Sequence, residues 1–161
     1  MDIRVGTGYD THPLLTGESL ILGGIQIPHY KGTKGHSDGD VLTHAVIDSI
    51  LGAANLGDIG SLFPSNDNSL KGVSSLNLLS EVMDKINKES YKILNSDSTI
   101  ILEKPIIKEY IPAIINSLSN SLSLTIDKIS VKATTNDRLG FIGQEEGISV
   151  ISTILICKES E

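Results

Sequence analysis

Two short stretches carry most of the residues that can do chemistry. One is His36-Ser37-Asp38-Gly39-Asp40-Val41-Leu42-Thr43-His44, with two histidines, two carboxylates and hydroxyls at a helix start. Apolar residues at 41, 42, 45, 46, 50 and 51 recur with helical spacing, which places His44 in the second turn. Ser37 or Asp38 is the expected N-cap, with Asp40 in the first turn, where a carboxylate favours the positive end of the helix dipole. At roughly 100° per residue, Asp40, His44 and Asp48 fall on one stripe of that helix. The other stretch is Tyr9-Asp10-Thr11-His12, in which the period of two of an extended strand puts Asp10 and His12 on one face. Asp10, His12 and His44 supply one oxygen and two nitrogens, the three-ligand set that leaves a fourth tetrahedral position on zinc open.

These residues need a frame, and the pattern of the chain provides one. Residues 2–9 read as a first strand, and 20–28 as two short strands around Gly23-Gly24. A helix over about 38–54 stops at Gly57, and the polar segment 61–68 reads as a mobile surface loop. Ser74 or Ser75 starts a second helix to about Lys88, with Leu76, Leu79, Val82, Met83 and Ile86 on one face. A strand over 91–102, a helix over about 108–122, a strand over 129–134, a turn and a strand over 147–158 complete the chain. The expected fold class is α/β (α+β): a single-layer mixed β-sheet with helices packed on one face. The sheet face left over calls for burial against other subunits.

Composition narrows the function. At 161 residues the expectation is one domain spanning 1–161. The net charge is −7 and no Lys/Arg cluster interleaves with the few aromatics, which excludes nucleic acid as the expected partner. A phosphorylated small molecule fits only where metals or helix ends overcome the negative field. No run approaches a membrane span, and Met1 leads into Ile3-Arg4-Val5 without a secretory pattern. The expected location is therefore cytoplasmic, or that of the mature part of an organellar protein. The single Cys157, in an apolar run, reads as a buried thiol.

Four motifs in order carry a resemblance over nearly the whole chain. They are Gly8-Tyr9-Asp10-Thr11-His12; His36-Ser37-Asp38-Gly39-Asp40 with His44; Gly57-Asp58-Ile59-Gly60 with Phe63-Pro64; and Val131-Lys132-Ala133-Thr134-Thr135-Asn136 leading to Gly140-Phe141 and Glu146-Gly147. Together the chain resembles the 2-C-methyl-D-erythritol 2,4-cyclodiphosphate synthases. The resemblance implies a homotrimer with active sites between subunits, acting in the non-mevalonate route to isoprenoid precursors. It implies a phosphorus-oxygen lyase that converts 4-diphosphocytidyl-2-C-methyl-D-erythritol 2-phosphate to the cyclic diphosphate and CMP. The alternatives are a zinc phosphohydrolase, which shares these ligands but needs a metal-bound water aimed at phosphorus, and a non-catalytic trimeric metal-binding module, for which Gly-rich turns and one metal suffice.

The resemblance also implies roles. Asp10, His12 and His44 match zinc ligands, one ion per subunit. His36 and Thr135 match transition-state stabilisers. Thr11 and Ser37 match substrate contacts, Asp58-Ile59-Gly60 the segment that grips the erythritol hydroxyls, and Phe63-Pro64-Ser65-Asn66-Asp67 the loop that covers them. Leu102-Glu103-Lys104-Pro105-Ile106-Ile107-Lys108 matches the cytosine pocket supplied by the adjacent subunit. Thr134-Thr135-Asn136-Asp137 matches the holder of the nucleotide phosphates with a second ion, Mg2+ or Mn2+, and Phe141 a further substrate position. Three positions depart from the family pattern. Asp137 stands where Glu is usual for the second metal, Gln144 where Arg is common, and Ile106 where Lys usually follows the proline.

Overall fold

The computed structural model describes residues 2–158. Its sheet is built on two long antiparallel strands, β1 (Asp2–Thr16) and β7 (Gly147–Lys158), paired from Asp2–Lys158 to Pro13–Gly147. On the other side of β7 lies β5 (Tyr91–Ile101), antiparallel, then β6 (Ile129–Thr134), parallel to β5. The short β4 (Lys31–Thr33) closes the opposite edge, giving the order β4-β1-β7-β5-β6. β2 (Leu20–Leu22) and β3 (Ile25–Ile27) form a separate hairpin. Its Gly23-Gly24 turn has φ of 59° and 76°, the doubly positive geometry that glycine adopts most readily.

Three main helices lie on one sheet face: α1 (Val41–Ala54), α3 (Ser75–Lys88) and α4 (Ile111–Leu122). Two short ones, α2 (Ile59–Leu62) and α5 (Gly140–Gly143), sit in the connections. The strands alternate accordingly: Ile148, Val150, Ile154 and Ile156 of β7 are buried beneath the helices. Ile3, Val5, Tyr9 and Ile151 of the other face are exposed. The mixed sheet with helices on one side is as the sequence implied. α1 is buried nearly all round, between sheet, α3 and hairpin, and only its outer positions, including His44 and Asp48, reach the surface.

Several boundaries differ from the sequence reading. β1 continues to Thr16 because β7 and then β4 supply partners past Tyr9. α1 starts at Val41 with Asp40 as its N-cap, accepting from the Thr43 N–H, instead of Ser37 or Asp38. Asp40 is therefore off the stripe that His44 and Asp48 share. The helix stops at Asn55, which takes the left-handed conformation, two residues before Gly57. Residues 108–110 form a 3-10 turn, and α4 proper begins at Ile111 with Pro112 in its first turn. The 61–68 segment starts inside α2. Cys157 is half-buried, because it points to the uncovered face opposite Ile3.

Candidate active site

Two glycines set the geometry. Gly6 and Gly8 of β1 lie directly under α1, where a Cβ on Gly8 would stand 1.9 Å from the Ala45 carbonyl oxygen. One on Gly6 would stand 2.0 Å from that of Ser49. Only backbone without side chains fits such an approach, and the helix answers with Ala45, Ser49 and Ala53. With helix and strand so close, His44 reaches Asp10 and His12, which project from the same face two and four residues further along β1.

Asp10 Oδ2 lies 2.8 Å from His12 Nε2 and 3.1 Å from His44 Nδ1. The far nitrogens are also engaged. His12 Nδ1 is 2.9 Å from the Lys34 carbonyl oxygen, an acceptor, so the proton sits on Nδ1. His44 Nε2 is 2.9 Å from both Ser37 Oγ and Ser75 Oγ. Ser75 donates its own hydrogen to Asp38 Oδ1, so it accepts from His44 Nε2–H. Both rings thus turn a lone pair toward a carboxylate oxygen, an arrangement that calls for a cation. Without a metal, protons serve. Burial pushes the Asp10 carboxyl up, but hydrogen bonds from the two imidazoles outweigh this and hold it below the ordinary value. Burial likewise pulls His12 down, and its bond to Asp10 more than reverses that. Among the described residues this is the one group of three or more His, Cys, Asp or Glu that could hold a metal ion.

The triad opens into a cavity of about 370 Å³. His12, His36, Ser37 and His44 line one side, and Ile59, Gly60, Phe63, Pro64, Ser65, Asn66, Leu70 and Leu78 the rest. Asp48 accepts from the Ile59 N–H at 2.7 Å, fastening α2 to α1. Asp58 caps α2 through the Ser61 N–H, which helps to hold its carboxyl below the ordinary value. His36 Nε2 donates to the Asp67 carbonyl at 2.9 Å, tying the 63–67 loop to the triad segment.

A second cavity, of about 250 Å³, lies three strands away at the same end of the sheet. Asp10, Val150, Ile100 and Ala133 form one row across β1, β7, β5 and β6, a span of about 14 Å at the usual strand spacing. Leu102, Glu103, Pro105, Ile106, Ile107, Lys108, Thr134 and Thr135 line it. Beside it Glu103 accepts from the N–H groups of Asn136 and Arg138. That contact orders a loop in which Asp137 and Arg138 both have positive φ.

The YgbB family model matches residues 3–157. The chain belongs to the YgbB family. Its relatives include the 2-C-methyl-D-erythritol 2,4-cyclodiphosphate synthase of Clostridium acetobutylicum, 56% identical over 154 residues, 96% of this chain and 99% of that one. The synthase of Clostridium botulinum is 51% identical with the same coverage. Among solved structures, Plasmodium falciparum IspF in complex with CDP is 36% identical with a TM-score of 0.87, over 99% of this chain and 98% of that one. The bifunctional IspDF of Campylobacter jejuni is 39% identical with a TM-score of 0.95, and 43% of that longer chain is covered.

The fold of this YgbB chain sorts the expected residues into two groups. Asp10, His12, His36, Ser37 and His44 converge, with Ile59, Gly60 and Phe63 to Asn66 across the cavity. The 102–108 segment, except Lys104, meets Thr134 and Thr135 at the second cavity, with Asn136 and Asp137 on the adjoining loop. Phe141 lies over Gly147, near the His12 carbonyl. Thr11 departs from both groups: its hydroxyl bonds to the Ile148 carbonyl and Ser149 on the opposite sheet face. Sequence reasoning missed Gly6, whose alternation with Gly8 was its signal, and Ser75, Leu70 and Leu78, whose approach to the site depends on where α3 docks. No described helix is long and apolar enough to cross a membrane.

Proposed function

We propose that this chain converts 4-diphosphocytidyl-2-C-methyl-D-erythritol 2-phosphate to 2-C-methyl-D-erythritol 2,4-cyclodiphosphate and CMP, as a cytoplasmic homotrimer. The observation that carries this reading is the pair of imidazole lone pairs converging with Asp10 beside a cavity lined by His36, Ser37 and the 63–66 segment, in a chain of this family. The residues fit zinc: one oxygen and two nitrogens with an open fourth position. Asp10, His12 and His44 would hold the ion, which when bound would supply Lewis-acid neutralisation of a β-phosphate oxygen.

The chain's own residues do the rest. The 2-phosphate oxygen attacks the β-phosphorus, the bond from that phosphorus to the bridging oxygen breaks, and CMP leaves with the α-phosphate. Positioning and charge neutralisation supply most of such a barrier reduction. His36 and Thr135 stand at the two ends of the reacting group. Ser37 contacts phosphate, and Asp58, Ile59 and Gly60 hold the erythritol hydroxyls. Phe63, Pro64, Leu70 and Leu78 make an apolar wall that keeps out water, whose attack would give hydrolysis instead. The 102–108 segment takes the cytosine, and Thr134 to Asp137 take the diphosphate with Mg2+ or Mn2+.

The first cavity of one protomer and the second of its neighbour form each active site. The apolar sheet face bearing Val5, Tyr9 and Ile151 supports this assembly, since burying it gives a reason for association. The test is phosphorus NMR of the protein with this substrate, zinc and magnesium, repeated with His44→Ala. Cyclic diphosphate with stoichiometric CMP, abolished in the variant, is the expected outcome. Inorganic phosphate would make the protein a phosphohydrolase, and zinc retention without turnover would make it a binding module.

A further inference from the structure

We propose that Ser75 and Asp38 are positioning residues for the metal ligand His44, forming a carboxylate–hydroxyl–imidazole relay from the start of α3. This rests on the reading of Asp10, His12 and His44 as a metal site. Ser75 is fully buried and belongs to the first turn of a helix whose other buried side chains are all apolar. Its hydroxyl lies between His44 Nε2, at 2.9 Å, and Asp38 Oδ1. The direction of the chain is fixed from the carboxylate outward. Asp38 can only accept, so Ser75 donates to it; the remaining Ser75 lone pairs take the His44 Nε2 proton, and Nδ1 is left free for a cation.

The other oxygen of Asp38 accepts from the Ser75 N–H at 3.0 Å, and the Asp38 N–H donates to the Val73 carbonyl at 3.2 Å. Ser74, at the N-cap position, makes no side-chain cap bond, so Asp38 caps α3 from outside the helix. One carboxylate therefore fixes both the helix end and the hydroxyl, and the imidazole ring can adopt one orientation. Ser37 also touches His44 Nε2, and its other side-chain contact is the Ser75 hydroxyl at 3.2 Å, so it meets Asp38 only through Ser75. Outer partners of this kind orient a ligand and raise its basicity.

The test uses the full chain, stripped of metal, and measures zinc affinity by competition with a chromophoric chelator. The ligand-field bands of the cobalt(II) form provide a second readout. Ser75→Ala and Asp38→Asn are each expected to weaken zinc by about 10- to 100-fold and to shift the cobalt bands. Ser75→Thr, which keeps the hydroxyl, is expected to restore most of that loss. A purely structural cap would lower melting temperature and leave both readouts unmoved. Folded variants with parent-like zinc affinity and cobalt spectra would overturn the relay. Asp38→Asn, nearly isosteric, decides the matter if Ser75→Ala does not fold. A parent protein that takes up no zinc would refute the metal site itself, a different result.

Discussion

Replacing Gly8 with alanine tests whether helix-strand contact sets the ligand geometry. The new methyl would lie 1.9 Å from the Ala45 carbonyl oxygen and 2.7 Å from the Ser49 nitrogen. A carbon–oxygen contact settles near 3.3 Å, so α1 must withdraw by roughly 1.4 Å. Both clashing atoms are backbone, which no rotamer change relieves. Overpacking costs about 1–3 kcal/mol, and this case belongs at the upper end, a fall in melting temperature of roughly 6–12 °C for a domain of this size. The functional loss should be larger. His44 rides on α1 beside Ala45, and metal–ligand distances tolerate only about 0.2 Å.

Zinc affinity in Gly8→Ala should therefore fall at least about tenfold, and turnover about a hundredfold, the cost of a misplacement near 1 Å. Gly6→Ala is the control, since its methyl meets the Ser49 oxygen at 2.0 Å and the Ala53 nitrogen at 2.5 Å, one turn further from His44. It should cost similar stability with a smaller loss of metal. The assay is calorimetric melting of both variants with chelator-competition zinc titration. A folded Gly8→Ala protein that binds zinc within twofold of the parent would refute the reasoning.

Asp40→Ala should cost about 3 kcal/mol or more, because the buried Gly23 and Thr43 N–H groups lose their acceptor; chemical denaturation measures it. The metal-free protein should show a pH-dependent contribution from Asp10 and His12. His12, raised above 6.5, stabilises fully below that value and less as pH rises through its folded pKa. Asp10, lowered below 3.8, stabilises above that value and less as pH falls through its folded pKa. Apo stability attributable to the pair should therefore be greatest between them, and loss of this contribution in His12→Ala melts across that window is the check. Val5→Asp, at a 65% exposed position of the bare sheet face, should leave the protomer folded and, if the proposed trimer forms, convert it to monomer in light scattering. A monomeric parent would remove the subunit-interface reading altogether.

Much of the site was legible because strand and helix periods are short and local. Asp10 and His12 share a face by alternation alone, and His44 follows from the apolar pattern after Val41. What stayed hidden depends on contacts between elements distant in sequence. Asp40 reads as a first-turn carboxylate until the Gly23-Gly24 turn is seen to donate to it. Ser75 reads as a helix start until α3 docks on Asp38. Thr11, between two ligands in sequence, points to the other face by the same alternation that unites them.

The chain's negative charge raises a physical question for a site meant to receive phosphates, and the hydrogen bonds around that site answer it. Five carboxylates besides Asp10 lie on the elements around it, and each meets backbone N–H groups. Asp38 takes the Ser75 N–H, Asp40 those of Gly23, Gly24 and Thr43, Asp48 that of Ile59, Asp58 that of Ser61, and Asp67 that of Ser69. These dipoles spread and partly offset the negative charge while fastening hairpin, α2 and α3 around α1. Asp10 alone hydrogen-bonds to the two imidazoles, where a divalent cation would leave the ion and its three ligands with net positive charge. The acidic residues that argue against a phosphate ligand in composition are thus, in place, the anchors of the elements that would surround one.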